Sequence, residues 1–213
     1  MNETLEYIFE KHKPTKDRKL PWVITDIDRN SIPKTLGELG FKVGAEVGVA
    51  QGNHAKTLCT YIPGVKLYCI DCWERYKGYR EYTNRIKGYY KEAQERLAPF
   101  DCVFMKMFSM EAVEKFERGS LDFVYIDAAH DFLHIAQDIY KWSPKVRHGG
   151  VVFGHDYKRR RGARDKSRYI VNVRGVVQTF MYEHDIDPWF HLKISRQDSW
   201  MFVRQKGDLV DRI

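Results

Sequence analysis

The stretch that decides the reading is Ala45-Glu46-Val47-Gly48-Val49-Ala50-Gln51-Gly52. An apolar run, Val43 to Val49, carries one acid and ends in two glycines four residues apart. A helix-like segment, Asn53 to Tyr61, follows at once. This order predicts a strand, a tight glycine turn and a helix N-terminus, which lets backbone N–H groups approach a nucleotide-like ligand. The pattern is E-x-G-x-x-x-G. It is neither the G-x-G-x-x-G of dinucleotide sites nor the G-x-x-x-x-G-K-[ST] of triphosphate loops. With no lysine in the turn, a triphosphate lacks its cation. An acid beside a glycine turn suits a ligand with a cationic end and free hydroxyls.

Outward from that stretch the chain alternates. β-like runs at Val43–Val49, Val65–Asp71, Cys102–Lys106, Leu121–Asp127 and Gly150–His155 are separated by helical runs at Asn53–Tyr61, Gly78–Leu97, Met110–Phe116 and Phe132–Trp142. In the longest of these, Tyr82, Ile86, Tyr89, Ala93 and Leu97 form a helical stripe. Nearly all-apolar strands between helices indicate a parallel sheet covered on both faces. A helix near Val171–His184 then leads to Pro188–Ile194 and Ser199–Arg204, close enough to pair as an antiparallel hairpin. The expected fold is therefore α/β: a Rossmann-like, mostly parallel, seven-stranded sheet with helices on both faces and a C-terminal antiparallel hairpin. Residues 1–40 read as a helical lead-in, broken by Pro14 and Pro21, with a second helix starting at Ser31-Ile32-Pro33. Residues 41–213 form the main unit, and the whole reads as one domain.

The bulk numbers exclude little but bound the class. The 213 residues are 43% hydrophobic and 31% charged, as in an ordinary globular protein. No apolar run approaches a membrane span, and the N-terminal residues carry no secretory pattern. Four cysteines at irregular spacing make no disulfide framework, and the C-x-x-C of Cys69 and Cys72 lacks the second pair that zinc needs. A reducing, cytoplasmic setting is expected. The net charge of +7 points weakly to an anionic partner. Much of it sits in Lys158–Arg168, which reads either as a solvated segment or as a substrate lid.

In a parallel α/β sheet, ligands lie beyond the carboxyl ends of the strands. Those ends carry Glu46-Val47-Gly48, Asp71-Cys72-Trp73, Met107-Phe108-Ser109, Asp127-Ala128-Ala129-His130 and His155-Asp156-Tyr157. Acids or histidines cap four of five strands on one rim.

With these residues in view, the chain resembles a class I S-adenosylmethionine-dependent methyltransferase, and within that superfamily the small metal-associated O-methyltransferase-like (methyltransferase 24 type) group. The matching segments are AEVGVAQG, LYCIDCW, FVYIDAAHDF and GGVVFGHDY. The resemblance implies S-adenosylmethionine as cofactor. Glu46, Gly48 and Gly52 would surround its methionine part, with Asp127 close by. Asp71 would accept from the ribose hydroxyls, and Trp73 would stack on adenine. Ser109 would lie at the adenine edge, although it also reads as the N-cap of the next helix. The resemblance further implies a divalent metal, Mg²⁺ or a transition metal, on Asp127, His155 and Asp156. His155 stands where relatives often carry an acid or amide and favours the softer ions. The other reading of these acids is a hydrogen-bonded pair without metal. Asp127 and His130 are the candidate catalytic residues; His130 reads as base, ligand or helix cap.

The implied reaction is methyl transfer to a hydroxyl of a small, anionic molecule or sugar. The alternatives are an RNA methyltransferase or a cofactor-binding protein without activity. Against RNA, Ile126-Asp127-Ala128-Ala129 lacks the Asn/Asp-Pro-Pro-aromatic run of enzymes acting on base amines. A homodimer is the assembly allowed for; no membrane partner is expected.

Overall fold

The computed structural model describes residues 2–16, 21–75, 86–158, 171–194 and 198–213. Eight strands form one sheet in the order β1-β7-β8-β6-β5-β2-β3-β4. They are β1 (Trp22–Ile24), β2 (Val43–Val47), β3 (Lys66–Asp71), β4 (Cys102–Lys106), β5 (Leu121–Ile126), β6 (Val146–Gly154), β7 (Trp189–Leu192) and β8 (Ser199–Val203). The run from β6 to β4 is parallel throughout, and β8 lies antiparallel between β6 and β7. All seven expected strands are present, including the hairpin, where Leu192 pairs with Ser199.

The eighth strand comes from the lead-in. Trp22–Ile24 pairs in parallel with Phe190–Leu192 at the sheet edge. The run is short and follows Pro21, so a three-residue edge strand leaves almost no periodic signal. The rest of the lead-in is helical as expected: α1 (Glu3–His12), capped by the Asn2 side chain, and α2 (Ile32–Glu38), with Pro33 in its first turn.

The remaining helices are α3 (Asn53–Tyr61), α4 (Ile86–Leu97), α5 (Ser109–Ala112), α6 (Phe132–Trp142) and α7 (Val173–Glu183). The stretch expected to begin the longest helix, Tyr82 included, lies outside the described residues. So does the basic segment beyond Lys158.

Period-two alternation sorts the strands between two apolar layers. On β5, Val124 and Ile126 face the layer that holds Ile135, Ile139 and Trp142 of α6. Phe123 and Tyr125 face the layer that holds Leu5, Ile8, Leu36 and Leu58 of α1, α2 and α3. Strand order reverses between β2 and β5: β3 and β4 lie on one side, β6 on the other. The crossovers diverge there and leave a crevice at the carboxyl edge.

The C-terminus is fastened by Arg204, only 2% exposed. Its guanidinium donates to Asp208, to Asp211, and to the carbonyls of Ser143 and Val146. Removing it leaves Asp208 buried and without its cation. Arg204→Ala is expected to cost about 3–5 kcal/mol in denaturant unfolding, read as a lower midpoint at unchanged slope.

Candidate functional site

The chain leaves β2 through Gly48 at φ +96°. A Cβ there would come within 2.3 Å of the Asp127 carbonyl oxygen, so only glycine lets the β2 turn pass so close to the end of β5. The turn then crosses Ala50 at φ +48° and reaches Gly52, whose φ of +75° starts α3.

Asp71, at the end of β3, holds this turn. One carboxylate oxygen accepts the Ala50 N–H at 2.9 Å, and the other accepts the Trp73 N–H at 2.8 Å. Both of those residues have left-handed backbones, which cost energy outside glycine. A single buried acid offsets that cost and ties the two loops together.

Beside the turn lies a cleft of about 290 Å³. Gly48, Asp71 and Cys72 form one wall, Ser109 and Met110 another, and Ala128 and Ala129 close the β5 side. Of the residues expected at a cofactor, Gly48, Asp71 and Ser109 therefore line it. Glu46 stands behind the turn, fully buried, and its carboxyl is pushed upward in pKa by burial against the opposing pull of His54. Its Oε2 has no hydrogen-bond partner among the described residues.

Trp73 does not line the cleft. Its ring is 4% exposed, packs 4.7 Å from Tyr90, and donates through Nε1 to the Ala50 carbonyl at 2.7 Å. Its backbone is left-handed, at φ +45°, and the ring expected to stack on adenine packs in the core. Cys72 takes the cleft-facing place. Ser109 is likewise not an N-cap: Phe108 occupies that position.

Ser109 instead donates to Asp138 of α6 and accepts from Trp142 Nε1. Asp138 lines the cleft yet is 3% exposed, and burial pushes its pKa up to about 6 against the Ser109 hydrogen bond. The sequence reading missed it, along with Gln137; His134, which reads as a surface histidine, also lines the cleft. Periodicity gave the signal, because an acid on the inner face of an amphipathic helix is out of place there.

The second cluster joins the ends of β5 and β6. His130 Nε2 lies 3.1 Å from Asp127 Oδ1 and 3.5 Å from Asp156 Oδ2. His155 Nδ1 lies 3.3 Å from Asp156 Oδ1 and 3.8 Å from Asp127 Oδ1. Asp127, His130, His155 and Asp156 thus lie together. Three partners were not foreseen. Arg29 of the lead-in donates to Asp127 Oδ2 at 2.8 Å, the Tyr125 hydroxyl donates to the same oxygen at 3.0 Å, and Lys158 pairs with Asp156 Oδ1. Burial would raise the Asp127 pKa, but the His130 hydrogen bond and neighbouring cations outweigh it and hold the carboxyl below its ordinary value. Burial lowers the pKa of His155 and favours its neutral form.

This donor set does not fit a divalent ion. No group of three or more His, Cys, Asp or Glu side chains is arranged to hold a metal among the described residues. The oxygens of Asp127 and Asp156 face hydrogen-bond donors and two cations of the chain itself. Asp127, His155 and Asp156, the expected ligand set, are paired with the chain's own groups instead.

Arg29 is placed by its own turn. Asp28 Oδ1 accepts the N–H groups of Asn30 and Ser31, and the Arg29 carbonyl accepts from His54 Nε2 at 2.8 Å. His54 lies against the Tyr125 ring, with centroids 3.9 Å apart.

The family model that matches this chain describes a methyltransferase domain of the methyltransferase 24 type and covers residues 45–157. No curated protein matches the sequence. Among solved structures, cofactor-bound Rv0187 from MTB is similar at a TM-score of 0.62 and 16% identity, covering 95% of this chain and 88% of that one. The O-methyltransferase from Bacillus cereus in complex with SAH gives a TM-score of 0.58 at 13% identity, covering 96% and 92%. The O-methyltransferase TomG from Streptomyces achromogenes, involved in tomaymycin synthesis and bound to SAM, gives 0.58 at 14%, covering 96% and 100%. At these identities the likeness is one of fold.

The raised pKa of Asp138 has a sign that can be checked. The folded carboxyl binds its proton up to about pH 6, while an unfolded one releases it near 3.9. Stability is therefore full at low pH and falls as pH rises between these values. The loss is on the order of 2–3 kcal/mol. Asp138→Asn is expected to flatten this part of the stability–pH curve and to raise the melting temperature at pH 7.5, measured by thermal unfolding from pH 4 to 8.

Proposed function

The chain belongs to the methyltransferase 24 type family of methyltransferase domains, and from that premise we propose that it transfers a methyl group from S-adenosylmethionine to a hydroxyl oxygen of a small molecule. The observation that carries the reading is the cleft at the strand-order reversal, walled by the Gly48 turn and by Asp71. It offers an acid for two vicinal hydroxyls beside a backbone that approaches without a side chain. The fold neighbours bound to SAM or SAH, and called O-methyltransferases, support the cofactor and the oxygen acceptor.

In this reading Asp71 accepts from the ribose. A carboxylate has about four acceptor sites, which suits a donor pair on adjacent hydroxyls. Ser109 and Asp138 meet the base. Glu46, buried behind the turn, serves the methionine end as a hydrogen-bond acceptor; its Oε2 has no partner among the described residues. Gly52 serves from behind as the start of α3, and Trp73 supports the turn through its bond to Ala50.

The reaction is a displacement at carbon. The acceptor oxygen forms a bond to the methyl group, the bond from methyl to sulfonium breaks, and its electron pair stays on sulfur as a neutral thioether. The hydroxyl proton must leave. We assign its receipt to His130; in support, Asp127 faces its Nε2, which favours the tautomer with the proton there. The protein's contribution is alignment and that proton path. The net charge of +7 favours an acceptor with an anionic group.

Binding to the native state alone must stabilise it, by about 2.7 kcal/mol at a hundredfold excess over Kd. S-adenosylhomocysteine is therefore expected to raise the melting temperature. Asp71→Ala should remove most of that shift and also lower the ligand-free melting temperature, because the Ala50 and Trp73 N–H groups lose their acceptor. No shift with S-adenosylmethionine or S-adenosylhomocysteine between pH 6 and 9 contradicts the proposal.

A further inference from the structure

The charges around Asp127 and Asp156 close without an added ion. Two largely buried carboxylates, with side chains 18% and 12% exposed, face two cations of the chain, Arg29 and Lys158. Arg29 arrives from the lead-in, outside the residues that the family model matches. Its guanidinium donates to Asp127 Oδ2 at 2.8 Å and to the Tyr125 hydroxyl at 3.3 Å. Tyr125 donates onward to the same carboxylate oxygen, so Oδ2 receives two hydrogen bonds, while Oδ1 faces His130. On the other acid, Lys158 and His155 face Oδ1, and His130 stands 3.5 Å from Oδ2.

We propose that Arg29, assisted by Lys158, is the built-in cation of this acid pair, standing where a divalent ion would otherwise sit, and that Arg29 thereby positions Asp127 toward His130. The inference rests on the methyl-transfer reading only for its catalytic meaning; the competition between guanidinium and metal stands apart from it.

Three physical points support the assignment. A divalent ion bound through Asp127 and Asp156 would lie within a few ångström of a fixed guanidinium and an ammonium. Like charges at about 4 Å repel by about 4 kcal/mol at a protein-surface dielectric, so the ion would have to displace one of them. Arg29 is also expensive to displace. Its backbone is locked by the Asp28 turn and the His54 hydrogen bond, and its side chain is three-quarters buried. Finally, a guanidinium does not lose its proton, so the compensation persists across the working pH range. A guanidinium is no Lewis acid toward an acceptor oxygen. Its part is to keep the Asp127 carboxylate charged and fixed, leaving His130 to receive the proton.

The test is equilibrium binding of Mn²⁺, followed by the paramagnetic resonance of the free ion, to the native chain, Arg29→Ala and Arg29→Ala/Asp127→Asn. Thermal shift with S-adenosylhomocysteine is run on each protein to show that the cleft is intact. If Arg29→Ala does not fold, Arg29→Gln takes its place, keeping the volume and losing the charge. The expected result is weak Mn²⁺ binding to the native chain, at least tenfold tighter binding to the single variant, and loss of that gain in the double variant. Micromolar Mn²⁺ binding to the native chain that disappears in Asp127→Asn would overturn the proposal. So would a single variant that still binds S-adenosylhomocysteine but gains no Mn²⁺ affinity. If the Mn²⁺ pattern appears while no protein responds to S-adenosylhomocysteine, the cofactor reading fails and the built-in cation stands.

Discussion

No side chain fits at position 48. The carbonyl of Asp127 lies where a Cβ would be, and much of the site follows from that contact. The backbone of β2 turns away at Gly48, while Asp127 N donates to the Val47 carbonyl and Gly48 N donates to the Ile70 carbonyl. The ends of β2, β3 and β5 are thereby fixed together at the point where the strand order reverses. The cleft lies in the divergence just beyond. Asp71 completes the arrangement by bonding two left-handed residues, so that both loops lining the cleft answer to one carboxylate.

A second constraint reaches the same rim from the other side of the sheet. Arg29 is carried by the turn before α2, and His54 links that turn to α3. Glu46, His54, Tyr125, Arg29 and Asp127 form a chain of ion-pair, ring and hydrogen-bond contacts beneath the Gly48 turn. The lead-in is therefore more than a decoration on a methyltransferase domain. It supplies an edge strand to the sheet and a cation to the site. Such buried polar chains are costly when one member is lost, because each group depends on its neighbour for compensation.

The architecture was legible because its signals are local and repeated. Apolar strands alternating with amphipathic helices specify a covered parallel sheet, and acids recurring at strand ends mark one rim. Glu46, Asp71, Asp127, His130, His155 and Asp156 could be named on position alone. What escaped were features set by backbone turns and distant partners. Trp73, two residues past Asp71, reads as a stacking platform, but its backbone is left-handed and its ring is buried in the core. Arg29 lies 98 residues from Asp127, and nothing in the sequence near it announces the pairing. Asp138 is hidden within a helix whose other inward residues, Ile135, Ile139 and Trp142, are apolar. The partners of the expected ligand set were hidden for a related reason: ligand types can be counted in a sequence, but the cations that pair with them must be seen in space.

The central claim is that the cleft between the Gly48 turn and α6 holds the nucleoside of S-adenosylmethionine. A crystal structure of the chain grown with S-adenosylhomocysteine tests it most directly. The account predicts the ribose hydroxyls within hydrogen-bond distance of Asp71, the base beside Ser109 and Asp138, and the sulfur directed toward the Asp127–His130 pair. Density for the ligand anywhere else, or in this cleft with its ribose turned away from Asp71, would contradict it.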